Sequence, residues 1–215
     1  MKPVHLVIFA KAPQPGFAKT RLIPALGATG AAALAARLLT YTAQQALAAQ
    51  VAHVELCLTP APDDPVWDDL ARSCASLPES VSRTAQGEGD LGARMARAAV
   101  RIIAAEGDVL LIGTDCPGLT SERLREAAAA LCHFDTTMIP AMDGGYTLLG
   151  LSRFDPSLFE GITWSTASVA DETRRRVKAL GWSLWEGAPL HDIDEPGDLR
   201  FLPIGWERPV SDGGS

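Results

Sequence analysis

Two runs of apolar residues, Val4–Ala10 and Val109–Gly113, are continuous rather than alternating, and both fall far short of the roughly 20 residues that a membrane span needs. A run of that length, closed by turn-forming residues, reads as a strand buried on both faces. The rest of the chain alternates in character. Thr29–Gln50 is rich in Ala and Leu and predicts a long helix. His53–Thr59 reads as a second strand, Val66–Cys74 as a helix and Val81–Ala85 as a polar third strand. Gly92–Glu106 follows with Met95, Ala98, Ala99 and Ile102 at helical spacing. Thr120–Leu131 is the next predicted helix. Thr136–Met142 and Tyr146–Leu151 read as two strands joined through Asp143-Gly144-Gly145, a composition suited to a tight turn. Ser168–Leu180 reads as a helix with Ser168 and Asp171 at capping-box spacing, Trp182–Trp185 as a strand and Glu195–Phe201 as a short last helix. Strands alternating with helices predict a three-layer α/β/α sandwich around a mostly parallel mixed sheet. Residues 1–203 read as one domain and 204–215 as a weakly ordered tail. In such a sheet ligands bind outside the carboxyl ends of the strands, which directs attention to the loops after Ala10, Ala85, Gly113 and Met142.

Charge narrows the choice of ligand. Lys and Arg number 19 against 26 Asp and Glu, a net charge of −7. No carboxylate side chain occurs from Met1 to Val54, where Lys2, Lys11, Lys19, Arg21 and Arg37 stand, so the acid excess lies entirely in the remainder. An acidic chain of this kind is unsuited to coating a phosphate backbone, so no nucleic-acid partner is expected. A small polyanion at one cationic loop is compatible with it. Cys57, Cys74, Cys116 and Cys132 are widely spaced without a CxxC pair, as expected of reduced thiols in a cytoplasmic protein.

The first of these loops, Lys11 to Leu22, holds Lys11, Gly16, Lys19, Thr20 and Arg21 within eleven positions. Backbone N–H groups and the three cations suit phosphate oxygens, although Pro13 and Ala18 stand where a P-loop needs glycine. Gln86-Gly87-Glu88-Gly89-Asp90-Leu91-Gly92 formally contains the spacing of a dinucleotide fingerprint, but Glu88 and Asp90 would repel a pyrophosphate. The Gln86 amide, donor and acceptor at once, suits a base or ribose better. Asp115 follows the most strand-like run and stands at an address for a metal ion. Asp192 and Asp194 share one side of an extended segment, and Asp115 with Asp194 would suffice for a nucleotide-bound Mg²⁺ or Mn²⁺. Asp143 is placed to meet a hydroxyl of a second substrate, Trp164-Ser165-Thr166 to wall its pocket, and His191 is a candidate base; each also has an ordinary structural explanation. His5, His53 and His133 form no ligand pattern.

Taken in order, Lys-Ala-Pro-x-Pro-Gly-x-x-Lys-Thr-Arg-Leu at 11–22, Gln-Gly-x-Gly-Asp-Leu-Gly at 86–92, Gly-Thr-Asp-Cys-Pro at 113–117, Asp-Gly-Gly-Tyr at 143–146 and Asp-x-Asp-x-Pro-x-Asp-Leu at 192–199 resemble a bacterial family of GT-A-fold proteins. These are the radical-SAM/selenodomain-associated transferases, or arsenosugar-biosynthesis-type glycosyltransferases. The chain is similar, more distantly, to 2-phospholactate guanylyltransferase. The resemblance implies a nucleotide-diphospho-sugar transferase fold in which Lys11, Gly16, Lys19 and Arg21 hold phosphates, Gln86 and Gly87 read the base, and Asp115 and Asp194 carry Mg²⁺ or Mn²⁺. Lys19 and Arg21 would neutralise charge developing during transfer, and Asp143 would serve as acceptor base. The expected partners are a nucleotide or sugar nucleotide and a small-molecule acceptor, with a homodimer as an option. Glycosyl transfer comes first among the expected activities and nucleotidyl transfer second. A dinucleotide oxidoreductase and a catalytically silent nucleotide-binding module are the alternatives from other classes. Where glycosyltransferases of this fold commonly carry Asp-x-Asp, this chain has Thr114-Asp115-Cys116, a departure that favours nucleotidyl transfer.

Overall fold

The computed structural model describes residues 2–68 and 81–206. Its strands are β1 (Val4–Lys11), β2 (His53–Thr59), β3 (Ser82–Ala85), β4 (Asp108–Ile112), β5 (Thr136–Pro140), β6 (Tyr146–Leu151) and β7 (Leu184–Glu186). They form one sheet in the order β3-β2-β1-β4-β6-β5-β7. Only β6 runs against its neighbours; β4 and β5, consecutive in sequence, are separated by it. The parallel pairs β1·β2, β1·β4, β2·β3 and β5·β7 bring the carboxyl ends of six strands to one edge.

Helices cover both faces. These are α1 (Ile23–Ala48), α2 (Leu91–Ala104), α3 (Ser121–Ala130) and α4 (Val169–Ala179), with 3-10 turns at Thr20–Leu22, Pro156–Leu158 and Pro196–Phe201. The two-residue period of the strands divides the core. Leu6, Ile8, Leu56, Leu110, Ile112 and Leu148 face Leu39, Ala43 and Ala46 of α1 and Leu124 of α3. On the opposite face Val7, Cys57, Val109, Leu111 and Leu149 meet Met95, Ala98 and Ile102 of α2 and Val177 of α4. A third cluster lies under α1, where Leu22, Leu26, Leu34 and Leu38 enclose Ile193 and Leu199 of the returning C-terminal segment.

Two boundaries differ from the sequence expectation for physical reasons. Helix α1 begins at Ile23 rather than Thr29, because Pro24 suits a first turn and Gly27, at φ 69°, lets two helical pieces meet across a kink. The stretch Thr20–Ala48 is long and apolar enough to cross a membrane, yet half of its apolar window is buried inside this fold. At the other end Trp206 is anchored, packing edge-on to Tyr41 with ring centroids 5.4 Å apart and lying under the Arg37 guanidinium at 4.2 Å. The expected tail therefore starts no earlier than 207, and 207–215 lie outside the described residues. Of the helix expected at Val66–Cys74, Val66–Asp68 are helical and 69–74 lie outside the described residues.

Candidate active site

A cleft of about 570 Å³ opens along the carboxyl edge of the sheet. Seven of the residues singled out from the sequence line it: Lys11, Lys19, Arg21, Gln86, Asp115, Asp143 and Asp194. Gly16 and Gly87 shape the loops without lining the cleft; both have positive φ, 80° and 73°. At Gly87 a Cβ would also stand 2.8 Å from the Arg97 guanidinium, so glycine is required there twice over.

Lys19 is the centre of the site. Its ammonium lies 2.6 Å from Asp115 Oδ1 and 2.8 Å from Asp194 Oδ1, and donates to the Ile193 carbonyl at 2.6 Å. Its side chain is only 7% exposed, against 45% and 40% for the two carboxylates. Burial works against its charge, but the adjacent Asp115 and Asp194 outweigh burial and hold its pKa above the ordinary lysine value. Expected on phosphate, Lys19 instead bridges the two expected metal ligands, because a buried ammonium takes the nearest anions. Its backbone sits in the left-handed region at φ 47°, a strained conformation for a non-glycine residue. Arg21, by contrast, is exposed on the cleft wall with no carboxylate partner among the described residues, and Lys11 donates to the Phe17 carbonyl at 3.0 Å.

The C-terminal segment positions Asp194 through its neighbours. Ile193 is fully buried beneath α1, and its N–H donates to the Asp115 carbonyl at 2.8 Å. Asp198 accepts from the N–H groups of Asp194 and Glu195 at 3.1 and 2.8 Å, and Leu199 enters the same cluster as Ile193. The closing motif is thus a clasp that presents its aspartates. Asp115 and Asp194 suit a hard divalent cation in donor type, being anionic oxygens that open to a cleft with room for phosphate and water, while the point on which their Oδ1 atoms converge is held by the Lys19 ammonium. Among the described residues no group of three His, Cys, Asp or Glu forms a closed metal cage.

Asp192, the other aspartate of this segment, carries a signal that the sequence did not rank. Its Oδ1 is buried without a hydrogen-bond partner among the described residues. Burial, reinforced by Asp143, Asp115 and Asp194, pushes its pKa up to about 7. Asp143 is exposed and caps its own turn, accepting from the Gly145 N–H at 2.9 Å. His191 stacks on Phe201, with centroids 3.7 Å apart and planes 12° apart, and is packed rather than poised as a base. Trp164 packs against Gly92, leaving Ser165, at φ 61°, as the member of its motif that reaches the cleft.

The Gly-rich loop also differs from expectation. Gln86 is 6% exposed, and its amide nitrogen donates to the carbonyls of Ala10 at 3.1 Å and Cys57 at 2.9 Å. Its amide oxygen accepts from Arg94 at 3.1 Å. Both amide donors are therefore committed to tying β1 and β2 together, and one lone pair of the oxygen to α2. The loop itself is held by two arginines of α2 that sequence reading missed. Arg94 donates to Gly89 O at 2.9 Å, and Arg97 donates to Glu88 O at 2.8 Å and to Gln86 O. Their spacing of one helical turn behind a glycine-rich loop was the available clue. Asp90 caps α2, accepting from the Ala93 N–H at 2.8 Å.

The fold is that of nucleotide-diphospho-sugar transferases and cytidylyltransferases. A Desulfovibrio desulfuricans G20 protein provisionally described as a nucleotide-diphospho-sugar transferase is 31% identical, with a TM-score of 0.84 over 94% of this chain and 87% of that one. Rv0371c of Mycobacterium tuberculosis H37Rv, solved with manganese, is 17% identical with a TM-score of 0.53, covering 93% of this chain and 97% of that one. CMP:2-keto-3-deoxy-manno-octonic acid synthetase, solved with CTP, is 12% identical at a TM-score of 0.53, covering 93% and 96%. These last two show the fold alone. No curated protein matches the chain by sequence. Residues 42–166 match the family described as "Uncharacterized protein conserved in bacteria (DUF2064)", more than half of the chain, and the protein belongs to that family.

Proposed function

We propose that this protein is a divalent-metal-dependent transferase whose donor is a nucleotide-diphospho-sugar and whose acceptor is a small molecule. One observation carries the reading: Lys19, Asp115 and Asp194 converge beside Arg21 in a single open cleft. Asp115 and Asp194 would hold Mg²⁺ or Mn²⁺, which would supply charge neutralisation for the donor's phosphates. Arg21 offers a planar fork to those oxygens, and Lys11 a second cation further along the same loop. Lys19 neutralises the anion nearest to it, and its fixed position lowers the cost of assembling charge as the leaving group departs. Asp143 faces the same cleft as the proposed acceptor base. Gln86 holds the cleft floor instead of reading the base, and the loop that it anchors flanks the nucleoside.

The manganese bound by one fold relative and the CTP bound by another agree with this reading. The five ordered motifs keep the radical-SAM/selenodomain-associated transferases as the finer assignment, with a cytoplasmic location. Nucleotidyl transfer is the second reading, favoured by the single Asp115 in place of Asp-x-Asp and by the three cations available to a departing pyrophosphate.

Thermal shift with CTP, GTP, UDP-glucose and NAD, each with and without Mn²⁺, tests the proposal. At a hundredfold excess over Kd, a bound nucleotide raises the Tm by about 5–10 °C. Stabilisation should require Mn²⁺ and be lost in Asp115→Asn. No stabilisation by any nucleotide, or a shift with NAD alone that ignores Mn²⁺, would overturn it. Release of nucleoside diphosphate during turnover identifies glycosyl transfer, and release of pyrophosphate identifies the second reading.

A further inference from the structure

Behind Asp115 lies a second, smaller cavity of about 160 Å³. Phe9, Leu91 and Asp115 line both spaces, so cavity and cleft share a wall. Their chemistry is opposite. Where the cleft is ringed by Lys11, Lys19, Arg21 and Arg94, the cavity is walled by Phe9, Met95, Leu111, Ile112 and Tyr146. The Tyr146 hydroxyl donates to Met95 Sδ at 3.9 Å and the Thr147 hydroxyl to the Ile139 carbonyl at 3.3 Å, so both donors are turned onto protein atoms. The only charged side chains in the lining are Asp115 and Asp192. Asp192 Oδ1 is the buried oxygen left without a hydrogen-bond donor.

We propose that this cavity is the acceptor subsite, and that it takes a small aryl or branched-alkyl alcohol whose hydroxyl meets Asp192, which then stands in place of Asp143 as the acceptor's carboxylate. The proposal rests on the reading that the cleft holds the donor. Size agrees with one ring, since an apolar cavity of ~150 Å³ accommodates a single benzene. Chemistry excludes the commoner acceptors. A sugar would leave several hydroxyls dry against Phe9, Met95 and Leu111, and a phosphate would face two carboxylates with no cation among the lining residues. An apolar body gains by burial, and its one hydroxyl meets the Asp192 side chain that lines the cavity. Filling the cavity also keeps water from the shared wall at Asp115, where a transferred group would otherwise be hydrolysed.

The test uses the full chain and 4-methylphenol as probe, followed by saturation-transfer NMR. Saturable binding is expected in the wild type, weakened at least tenfold in Met95→Phe, which fills the cavity, with no displacement by glucose or inorganic phosphate. Crystals of the wild type soaked with 4-bromophenol provide a readout independent of any variant's folding, with the bromine expected between Phe9, Met95 and Tyr146. Bromine located elsewhere or absent, unchanged binding in folded Met95→Phe, or displacement by glucose overturns the proposal. If nucleotide with Mn²⁺ stabilises the wild type but the phenol does not bind, the acceptor assignment fails alone. If the phenol binds but no nucleotide does, the donor reading fails and the cavity loses its role as an acceptor subsite.

Discussion

The loop after β1 and the loop after β3 leave the same edge of the sheet, and each carries a residue whose type suits a nucleotide. They differ in what those residues are bonded to. Lys19 is paired with two half-exposed carboxylates in an open cleft, and a charged partner of that kind can be exchanged for phosphate or shared with a metal ion. Gln86 is paired with main-chain carbonyls of two central strands. It cannot turn to a ligand without leaving buried donors and acceptors unsatisfied. The first loop keeps its charged groups at an open cleft and the second spends its amide on the frame, although local sequence presents both as binding motifs.

The largest effect that would sharpen this contrast is expected from Ile193→Ala. Emptying a fully buried site costs about 2–5 kcal/mol. Because Ile193 fixes both flanking aspartates, Mn²⁺-dependent stabilisation by nucleotide should disappear with it; a folded variant that still shows the full shift would mean the clasp does not present the site. Next comes Asp115→Asn combined with Asp194→Asn, which strands the buried Lys19 ammonium. Chemical denaturation should show a loss of about 1–3 kcal/mol, less than for a fully buried pair because solvent screens the carboxylates, and adding Lys19→Met should recover most of it. Without that recovery, Lys19 is not the group holding the two acids together.

Gln86→Met tests the frame directly. A stability loss of about 1–3 kcal/mol is expected from the carbonyls and guanidinium it leaves unpaired, with all nucleotides weakened alike. A changed ratio of CTP to GTP binding would return Gln86 to the role of base reader and dissolve the contrast between the loops. The smallest effect lies far from both, on α4. Hydrogen bonds from Arg175 and Arg176 hold the Glu172 pKa down to about 2. A lowered acid pKa contributes stability that is present above the unfolded value of 4.5 and lost as pH falls through about 2. Glu172→Gln should flatten the acid limb of the unfolding curve over that window and leave nucleotide binding untouched.

Sequence alone carried the architecture far, because the signals for it are local. Continuous apolar runs marked β1 and β4, and Asp143-Gly144-Gly145 marked the turn between β5 and β6. The insertion of β6 between β4 and β5 has no local signal, since it depends on which strands pair. The cleft was legible at the level of address: Lys11, Lys19, Arg21, Gln86, Asp115, Asp143 and Asp194 all line it. Partners were not. That Lys19 would meet Asp194 depends on the burial of Ile193, and that Gln86 would be spent on β1 and β2 depends on the register of strands distant in sequence. Asp192 looked equivalent to Asp194 in an extended segment, and only packing buried Oδ1 of the first and turned the second to Lys19. Arg94 and Arg97 gain their role only from the loop folded back over them, which local sequence does not show.

Lys19 and Asp194 are 175 residues apart, which has a consequence for the order of events on the ribosome. The first four strands of the sheet order can pair before the C-terminal segment exists, but the ammonium of Lys19 has only Asp115 to meet until residues near 194 emerge. The cleft is therefore completed by nearly the last part of the described chain to be synthesised. A product terminated shortly before Asp192 would retain every strand and helix of the sandwich while lacking the clasp. Completion of the Lys19–Asp194 pair thus reports on synthesis past residue 194 in a way that folding of the sheet does not.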